Sequence, residues 1–284
     1  MNGVINVFKP KGITSHDVIY KVRRALGTKK VGHTGTLDPM AEGVLPICVG
    51  KATRASELIM ASEKQYRAEI TFGAETTTGD SEGEITLTSD KRINKDEFLS
   101  IIPQFVGDIE QIPPMYSAIH HNGKRLYELA REGKSVERKP RQIKISDIEL
   151  LSFDGERAEI LVTCSKGTYI RTLCEDIGKA AGTLAHMSAL TRTKSGVFTV
   201  ENSMVIEEIS PEKLIPVDEM FKSYEKITLN EENEIRVRNG VPLRIGCKPG
   251  TEYRVYSPKD EFLCLSKGEE AEGRTILKMF KSFY

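Results

Sequence analysis

The stretch Gly32-His33-Thr34-Gly35-Thr36-Leu37-Asp38-Pro39 places one carboxylate among small, turn-forming residues. The two glycines tolerate backbone angles that residues with a Cβ avoid, and Pro39 disfavours a helical conformation at Asp38. The segment is therefore predicted to be a rigid loop that holds one acid at a fixed angle. An acid without an acidic neighbour suits a nucleophile better than a two-carboxylate acid/base pair. From this stretch alone, a turn or helix-capping aspartate is an equally good interpretation.

The composition is that of an ordinary globular protein. The chain has 284 residues, of which 39% are hydrophobic and 29% charged, enough for one large domain and a small one. We expect no membrane helix, because no apolar run is long enough, and no signal peptide, because a strand-like segment begins near Met1. The five cysteines contain no CxxC pair, which favours a cytoplasmic protein with reduced thiols and no metal site.

The formal net charge is zero, but the charges are segregated along the chain. Residues 9–30 carry seven Lys/Arg against one Asp, and residues 120–144 carry eight against three Glu. Residues 201–234 carry ten acids against three lysines. Each basic region could contact phosphate, although either one alone is equally typical of a solvated helix face.

The order of helical and strand patterns predicts an α+β domain. Apolar residues at helical spacing predict a helix with Ser15 as N-cap and Gly27 at its end, and Asn94 with Glu97 predicts the start of another. Further strands and one helix are predicted at residues 66–72, 143–152, 158–165, 169–179 (the helix) and 184–191. Because these do not alternate strictly, we expect a mixed, largely antiparallel sheet flanked by helices.

Two regions depart from this pattern. Residues 113–144 begin with two prolines and contain an Asn122-Gly123 turn and a short helix near Leu126–Arg131, which predicts an insertion that acts as a binding loop. The last sixty or so residues predict a small β-barrel-like module, with turns at Pro258-Lys259-Asp260 and at Gly268. We therefore divide the chain into a catalytic domain, residues 1–222, and a C-terminal domain, residues 223–284.

One motif is misleading. Gly27 to Thr34 differs by one residue from the phosphate-binding loop GxxxxGK[ST], with His33 where lysine belongs. That loop must run from a strand into a helix. Here a predicted helix precedes the motif, and Gly35 and Pro39 would interrupt any helix after it, so nucleotide hydrolysis is not favoured.

Several motifs together resemble those of the TruB family of tRNA pseudouridine-55 synthases over roughly residues 3–200. In chain order they are Lys9-Pro10-x-Gly12-x-Thr14-Ser15, the stretch from Gly32 to Pro39, Gly43-Val44-Leu45-Pro46, Lys64-x-Tyr66-x-Ala68, the run from Ser165 to Leu173, and Leu190-x-Arg192-Thr193-x-Ser195-Gly196. The C-terminal module resembles a PUA domain more weakly, through Val237-Arg238-Asn239-Gly240 and its strand pattern. Met40-Ala41-Glu42 departs from the Leu-Ala-Thr often found in the family, and we expect this change to be tolerated.

The resemblance implies a pseudouridine synthase fold and the isomerisation of uridine 55 in the T loop of tRNA, with the target base flipped out and Asp38 as nucleophile. The reaction breaks the C1′–N1 bond and rejoins the uracil through C5, so no cofactor is expected. A nearby guanidinium would keep the buried carboxylate ionised, and the family pattern gives that role to Arg171.

The resemblance also assigns roles to residues that would otherwise be read as core or surface. Tyr66 would stack on the base and help to remove the C5 proton, and His33 would fill the space that the base leaves. The other expected substrate contacts are Leu190 and Tyr169 at the uracil, Lys9 under the loop and at a phosphate, and Lys124, Arg125 and Arg131 at the T stem-loop.

The expected partner is tRNA, through the T stem-loop and the acceptor end, with a monomeric protein, no obligatory protein partner and no membrane. Two alternatives are a guide-RNA-dependent synthase, which lacks a long insertion of the 113–144 type, and a catalytically silent RNA-binding or tRNA-folding protein. The intact set of Asp38, Tyr66 and Arg171 argues against the latter, since binding alone requires no carboxylate.

Overall fold

The computed structural model describes residues 1–271 and 273–284. The strands are β1 (Gly3–Lys9), β2 (Val31–His33), β3 (Glu42–Val49), β4 (Lys64–Phe72), β5 (Ala74–Thr76), β6 (Ile85–Thr88), β7 (Gly107–Gln111), β8 (His120–His121), β9 (Lys124–Arg125), β10 (Arg141–Phe153), β11 (Arg157–Cys164), β12 (Ala185–Ser195), β13 (Phe198–Thr199), β14 (Glu225–Thr228), β15 (Glu252–Tyr256), β16 (Phe262–Ala271) and β17 (Arg274–Ser282). The α-helices are α1 (Ser15–Leu26), α2 (Ser56–Met60), α3 (Lys95–Ile101), α4 (Leu126–Arg131), α5 (Ile170–Ala180) and α6 (Glu231–Arg238). Short 3₁₀ helices span Gly50–Ala55, Ile102–Phe105, Ile206–Glu208, Pro211–Lys213 and Val217–Phe221.

The main sheet has the strand order β1-β3-β12-β4-β11-β10-β7, with β2 also paired to β3 and β13 to β12. These pairings are antiparallel except between β3 and β12, which run parallel where Thr191 faces Glu42 and Arg192 faces Gly43. The prediction of a mixed, largely antiparallel sheet flanked by helices is confirmed. The one parallel pairing lies directly beside the Asp38 loop.

The main core lies between this sheet and the helices α1, α3 and α5. Each helix contributes apolar side chains from one face, among them Val22 from α1, Phe98 from α3 and Leu173 from α5. They pack against alternate residues of the strands, such as Ile70 of β4 and Ile160 of β11, which are fully buried. The core therefore fixes α1 and α5 on the sheet, and both helices begin at the candidate site.

Helix α1 begins one residue earlier than predicted. Thr14, not Ser15, is the N-cap: its side chain accepts a hydrogen bond from the Asp17 N–H (3.1 Å), and the Asp17 carboxylate accepts one from the Thr14 N–H (2.8 Å). Ser15 is free for another contact. Its hydroxyl donates to the Leu37 carbonyl (3.0 Å) and accepts from the Leu37 N–H (2.8 Å), which ties α1 to the Asp38 loop.

The insertion contains the expected hairpin and helix. Strands β8 and β9 pair across Asn122 and Gly123, whose φ angles of 48° and 85° suit the predicted tight turn. Helix α4 follows and buries Leu126 and Leu129. The Tyr127 N–H donates to the Ser117 carbonyl (3.1 Å), so the helix is anchored to the start of the insertion.

The C-terminal residues form a second sheet with the order β14-β15-β16-β17. The turn predicted at Gly268 is wrong, because β16 continues through this residue to Ala271. A Cβ at Gly268 would collide with the Lys248 carbonyl oxygen, so glycine serves a close backbone approach there. This sheet shares an apolar cluster with the main one, in which Leu265 and Phe283 pack with Val44.

None of the helices within the described residues has both the length and the apolar character that a membrane crossing requires.

The close approach of β3 to β12 yields a stability prediction. Gly43 has a φ of 107°, and a Cβ there would collide with the backbone of Arg192, which cannot move aside as a side chain could. We expect Gly43→Ala to lower the free energy of unfolding by about 3 kcal/mol, from backbone strain and overlap together. Urea unfolding followed by circular dichroism measures this change.

Gly155→Ala is the matched control. Gly155 also has a positive φ (93°), but a Cβ there meets nothing within 4 Å, so only strain of about 1 kcal/mol is expected. Equal losses for the two variants would contradict the close approach at Gly43.

Candidate active site

The Asp38 loop, residues 34–41, connects β2 to β3 and is fixed at both ends. The Thr34 N–H donates to the Pro46 carbonyl (3.1 Å). Both the N–H and the carbonyl of Leu37 form hydrogen bonds with the Ser15 hydroxyl of α1. The Ala41 N–H donates to the Asp38 carbonyl (3.1 Å). With its backbone held in this way, Asp38 keeps 38% of its side chain exposed, and it faces a cleft.

Two buried cations hold the loop through its carbonyl oxygens. The Lys9 ammonium donates to the carbonyls of Ala41 (2.6 Å) and Pro39 (3.3 Å). The Arg192 guanidinium donates to the carbonyls of Val44 (2.7 Å) and Gly35 (3.2 Å). Both side chains support the loop from inside the protein.

The structure corrects one expectation for Lys9. Its side chain is fully buried under the loop, so its ammonium is not available to an RNA phosphate. Burial lowers the pKa of Lys9 to about 8, against the opposing effect of Asp38 and Glu42. Support of the loop is the part of the expectation that agrees with its position.

Arg171, in the first turn of α5, brings the parts of the site together. Its Nη2 lies 3.2 Å from Asp38 Oδ2 and donates to the Tyr116 carbonyl (2.6 Å). Its Nη1 lies 3.4 Å from Asp80 Oδ2 and donates to the Thr78 carbonyl (3.0 Å). The sequence prediction that Arg171 accompanies Asp38 therefore agrees with the geometry.

Asp80 is a site residue that the sequence did not reveal. It lies in the polar turn between β5 and β6, and its side chain is only 5% exposed. Its Oδ1 accepts a hydrogen bond from the Glu82 N–H (3.1 Å), and the Met187 N–H donates to the carbonyl of neighbouring Gly79 (3.1 Å). In sequence it is an ordinary turn aspartate, so no local signal distinguishes it.

The charge on Asp38 is less favoured than expected. Its pKa is raised above the usual range for an aspartate because burial outweighs the attraction of Arg171, and because Asp80 is a second negative charge nearby. Arg171 and, more weakly, Lys9 oppose this shift. The Arg171 guanidinium therefore reduces, but does not reverse, the effect of burial on the pKa of Asp38.

The cleft above Asp38 has a volume of about 860 Å³. Its walls come from the Asp38 loop, the start of α1, the Asp80 turn and the insertion, and among its lining residues are His33, Asp38, Asp80, Arg125, Arg131 and Arg171. Five of the ten predicted site residues, which come from distant parts of the sequence, thus face one space: His33, Asp38, Arg125, Arg131 and Arg171. His33 lies at the end of β2, and burial, then Arg192, lowers its pKa, so the ring is held neutral.

Apart from Lys9 and Lys124, three predicted residues do not line this cleft within the described structure. Tyr66 of β4 and Leu190 of β12 pack with the main core, and Tyr169 is the N-cap residue of α5. Tyr66 faces Arg192 across the β4–β12 pairing. Burial raises the pKa of Tyr66, and Arg192 only partly offsets this effect, so its hydroxyl stays protonated.

The basic residues of the insertion fall into two groups. Arg125 and Arg131 lie over the ring of Tyr127, with their Cζ atoms 5.9 and 5.5 Å from its centroid, and all three line the cleft. Lys124 instead forms an ion pair with Glu132 (2.6 Å), a carboxylate that also pairs with Lys134. Its charge is therefore partly compensated within the protein.

Within the described residues, no group of three or more His, Cys, Asp or Glu side chains is placed to hold a metal ion.

The arrangement predicts a measurable effect of Asp80 on Asp38. Asp80→Asn removes the second negative charge, so we expect the pKa of Asp38 to fall. Carbon-13 NMR titration of the Asp38 carboxyl measures this directly. Asp176→Asn, at a carboxylate that does not influence Asp38, is the control, and an unchanged or higher pKa in the Asp80 variant would contradict the shared-guanidinium arrangement.

Comparison with known proteins agrees with this geometry. The model of the TruB family pseudouridylate synthase N-terminal domain matches residues 23–170, and the model of the tRNA pseudouridylate synthase B C-terminal domain matches residues 171–223. The chain is 47% identical over 282 residues to a tRNA pseudouridine synthase B of Clostridium perfringens, covering 95% of this chain and 96% of that protein. It is 45% identical to the protein of the same name from Clostridium novyi, covering 96% and 99%.

Solved structures give the same fold. The structure of an H/ACA RNP bound to a substrate RNA containing 2′-deoxyuridine matches with a TM-score of 0.74 and 26% identity, covering 99% of this chain and 85% of that one. A Cbf5-Nop10-Gar1 complex matches with a TM-score of 0.74 and 27% identity, covering 99% and 85%. On the family models and the extent of these similarities, the chain belongs to the TruB family of pseudouridylate synthases.

Proposed function

We propose that the protein converts uridine 55 in the T loop of tRNA to pseudouridine, with the target base flipped out and Asp38 as nucleophile. The observation that carries the proposal is the contact of 3.2 Å between Asp38 and the buried Arg171 at the cleft, in a family whose members include tRNA pseudouridine synthase B. The C1′–N1 bond breaks, a C1′–C5 bond forms, the C5 proton leaves to solvent and N1 gains a proton. The bonds and protons balance without an external reactant.

Asp38 must be ionised to act as a nucleophile. Because its pKa is raised, the reactive carboxylate is lost as the pH falls through that raised value, which lies above the usual range for an aspartate. Arg171 opposes this shift, so the Asp38 carboxylate becomes protonated at a lower pH than it would with burial alone. It also fixes the carboxylate orientation, since its two Nη atoms contact Asp38 and Asp80 separately.

The remaining site residues act on the flipped base. Tyr66, with its protonated hydroxyl, stacks on the uracil by the family resemblance, although it does not line the cleft in this structure. By the same resemblance Leu190 and Tyr169 pack around the uracil, although neither lines the cleft in this structure. His33, neutral and facing the cleft, takes the place of the extruded base. Flipping a base costs a few kcal/mol, and these contacts offset part of that cost.

The T stem-loop lies in the cleft between α1 and the insertion, residues 113–144. Arg125 and Arg131 face the cleft and meet phosphates, as do the exposed basic residues of the segment 9–30, which exclude the buried Lys9. We expect Lys124, which is paired with Glu132, to contribute less. Residues 1–222 are the catalytic domain, and residues 223–284 are a PUA-like RNA-binding domain that contacts the acceptor end.

The protein acts as a cytoplasmic monomer and requires no protein partner. Relatives at 45–47% identity over nearly the whole chain carry the name tRNA pseudouridine synthase B, whereas the solved neighbours at 26–27% identity include a protein in complex with Nop10 and Gar1. Activity of the purified protein on a bare tRNA transcript separates this proposal from a guide-RNA-dependent enzyme.

The direct test is tritium release from a tRNA transcript labelled at uridine C5. We expect the wild type to release label without any cofactor, and Asp38→Asn to lower the rate at least about 10³-fold, because the amide is not a nucleophile. Asp90→Asn, at an exposed carboxylate, should behave as wild type. Label release from Asp38→Asn at the wild-type rate would remove Asp38 from the mechanism, and no release from the wild type would overturn the proposed function.

The phosphate contacts are tested by salt dependence. We expect Arg125→Gln with Arg131→Gln to weaken tRNA binding and to reduce the slope of log K against log salt by about 1.4 to 1.8, or about 0.7 to 0.9 per lost contact. Lys124→Gln removes the same charge per residue from a side chain already paired with Glu132. For this variant the slope should change by less than half of the change per residue in the double arginine variant. Equal changes per residue would contradict the distinction between the arginines at the cleft and the paired lysine.

A further inference from the structure

The outer face of α1 carries a line of exposed side chains, of which the proposed function uses only the basic ones, at RNA phosphates. Val18, Ile19 and Val22 face the core. His16, Tyr20 and Arg24 lie on the opposite side, spaced four residues apart, and therefore lie above one another along the helix. We call these three residues the α1 stripe.

Tyr20 is the most unusual member of the stripe. It is 69% exposed, the largest exposed fraction among the large hydrophobic side chains that the structure describes. A single exposed aromatic residue is ordinary on a protein surface. Tyr20 differs because it lies between His16 and Arg24, on a helix face that leads to the cleft.

The stripe begins inside the cleft. His16 is one of the cleft-lining residues, together with Thr14, Ser15 and Asp38. From His16 the stripe runs away from Asp38 for about 12 Å, since a helix rises about 1.5 Å per residue. That length matches three or four stacked nucleotides at about 3.4 Å each.

The charge around the stripe is positive and forms no ion pair in the part of the chain that the structure describes. Lys21 and Arg24 are exposed on α1, and Lys29 and Lys30 follow it; in residues 1–271 and 273–284 none of the four lies within 4.0 Å of a carboxylate that would form an ion pair. Asp17 is the one acid of the helix. Its carboxylate is occupied by hydrogen bonds from the N–H (2.8 Å) and hydroxyl (2.6 Å) of Thr14.

We propose that the α1 stripe binds the RNA strand that leaves the cleft next to the target uridine, with Tyr20 stacking on a base and Arg24 and Lys21 contacting its phosphates. An aromatic ring stacks on any base, and flanking cations follow the backbone, which is the combination that binds unpaired nucleotides. The inference rests on the proposed function, and it adds a binding surface outside the reacting centre.

The test compares Tyr20→Ala with Tyr20→Phe, which keeps the ring. We expect Tyr20→Ala to raise the Kd for a tRNA transcript about tenfold, within the range of one lost base stack, and to leave the single-turnover rate at saturating RNA unchanged. Tyr20→Phe should bind like the wild type. The control is Leu99→Ala, at a side chain 44% exposed on α3, which should change neither quantity.

A crosslinking measurement identifies the occupant. With p-benzoylphenylalanine in place of Tyr20, we expect a crosslink to tRNA that maps to unpaired nucleotides beside uridine 55, and none from the same probe in place of Leu99. A crosslink only to double-stranded RNA, or only to a second copy of the protein, would overturn the proposal.

The binding result separates two failures. If the wild type releases tritium from labelled tRNA but Tyr20→Ala binds with the wild-type Kd, the proposed function stands and the α1 stripe is not an RNA contact. If the wild type releases no tritium, the proposed function itself fails. A Tyr20→Phe defect equal to that of Tyr20→Ala would also overturn the stacking role, since the ring is retained.

Discussion

The rest of the site depends on the contacts of one group, the buried guanidinium of Arg171. It contacts three segments that are far apart in sequence: Asp38 in its loop, the Thr78–Asp80 turn, and Tyr116 at the start of the insertion. An arginine in the first turn of a helix faces the unfavourable end of the helix dipole. Here two carboxylates and two carbonyls compensate for that position, and removing any one of them leaves a buried charge incompletely paired.

Lys9 and Arg192 complement this arrangement from the other side of the loop. Both are buried, and both donate to carbonyl oxygens of the loop or its flanking strand. Carbonyl acceptors satisfy the donors without cancelling their positive charge, so Lys9 still lowers the pKa of Asp38. The loop is thereby rigid before any RNA arrives, which is the preorganisation that a reacting carboxylate needs.

The sequence predicts local structure better than long-range contacts. The sheet class and the cap at Asn94 depend on neighbouring residues, and they agree with the structure. Asp38 and Arg171 were identified together only through the resemblance to a family, because no local pattern relates residues 133 positions apart. Asp80 was missed, and the turn at Gly268 was wrong, since both depend on which backbone the fold brings alongside.

The position of the ion pairs explains how a chain with zero net charge serves an RNA substrate. Lys124 and Lys134 share Glu132 within the insertion, whereas Arg125 and Arg131 face the cleft and, among the residues that the structure describes, form no ion pair. Counterions are released only by cations that meet phosphate. Under the proposed function, unpaired cations at the cleft and on α1 therefore supply the electrostatic part of RNA binding. The acidic segment 201–234 alters the net charge without entering the cleft.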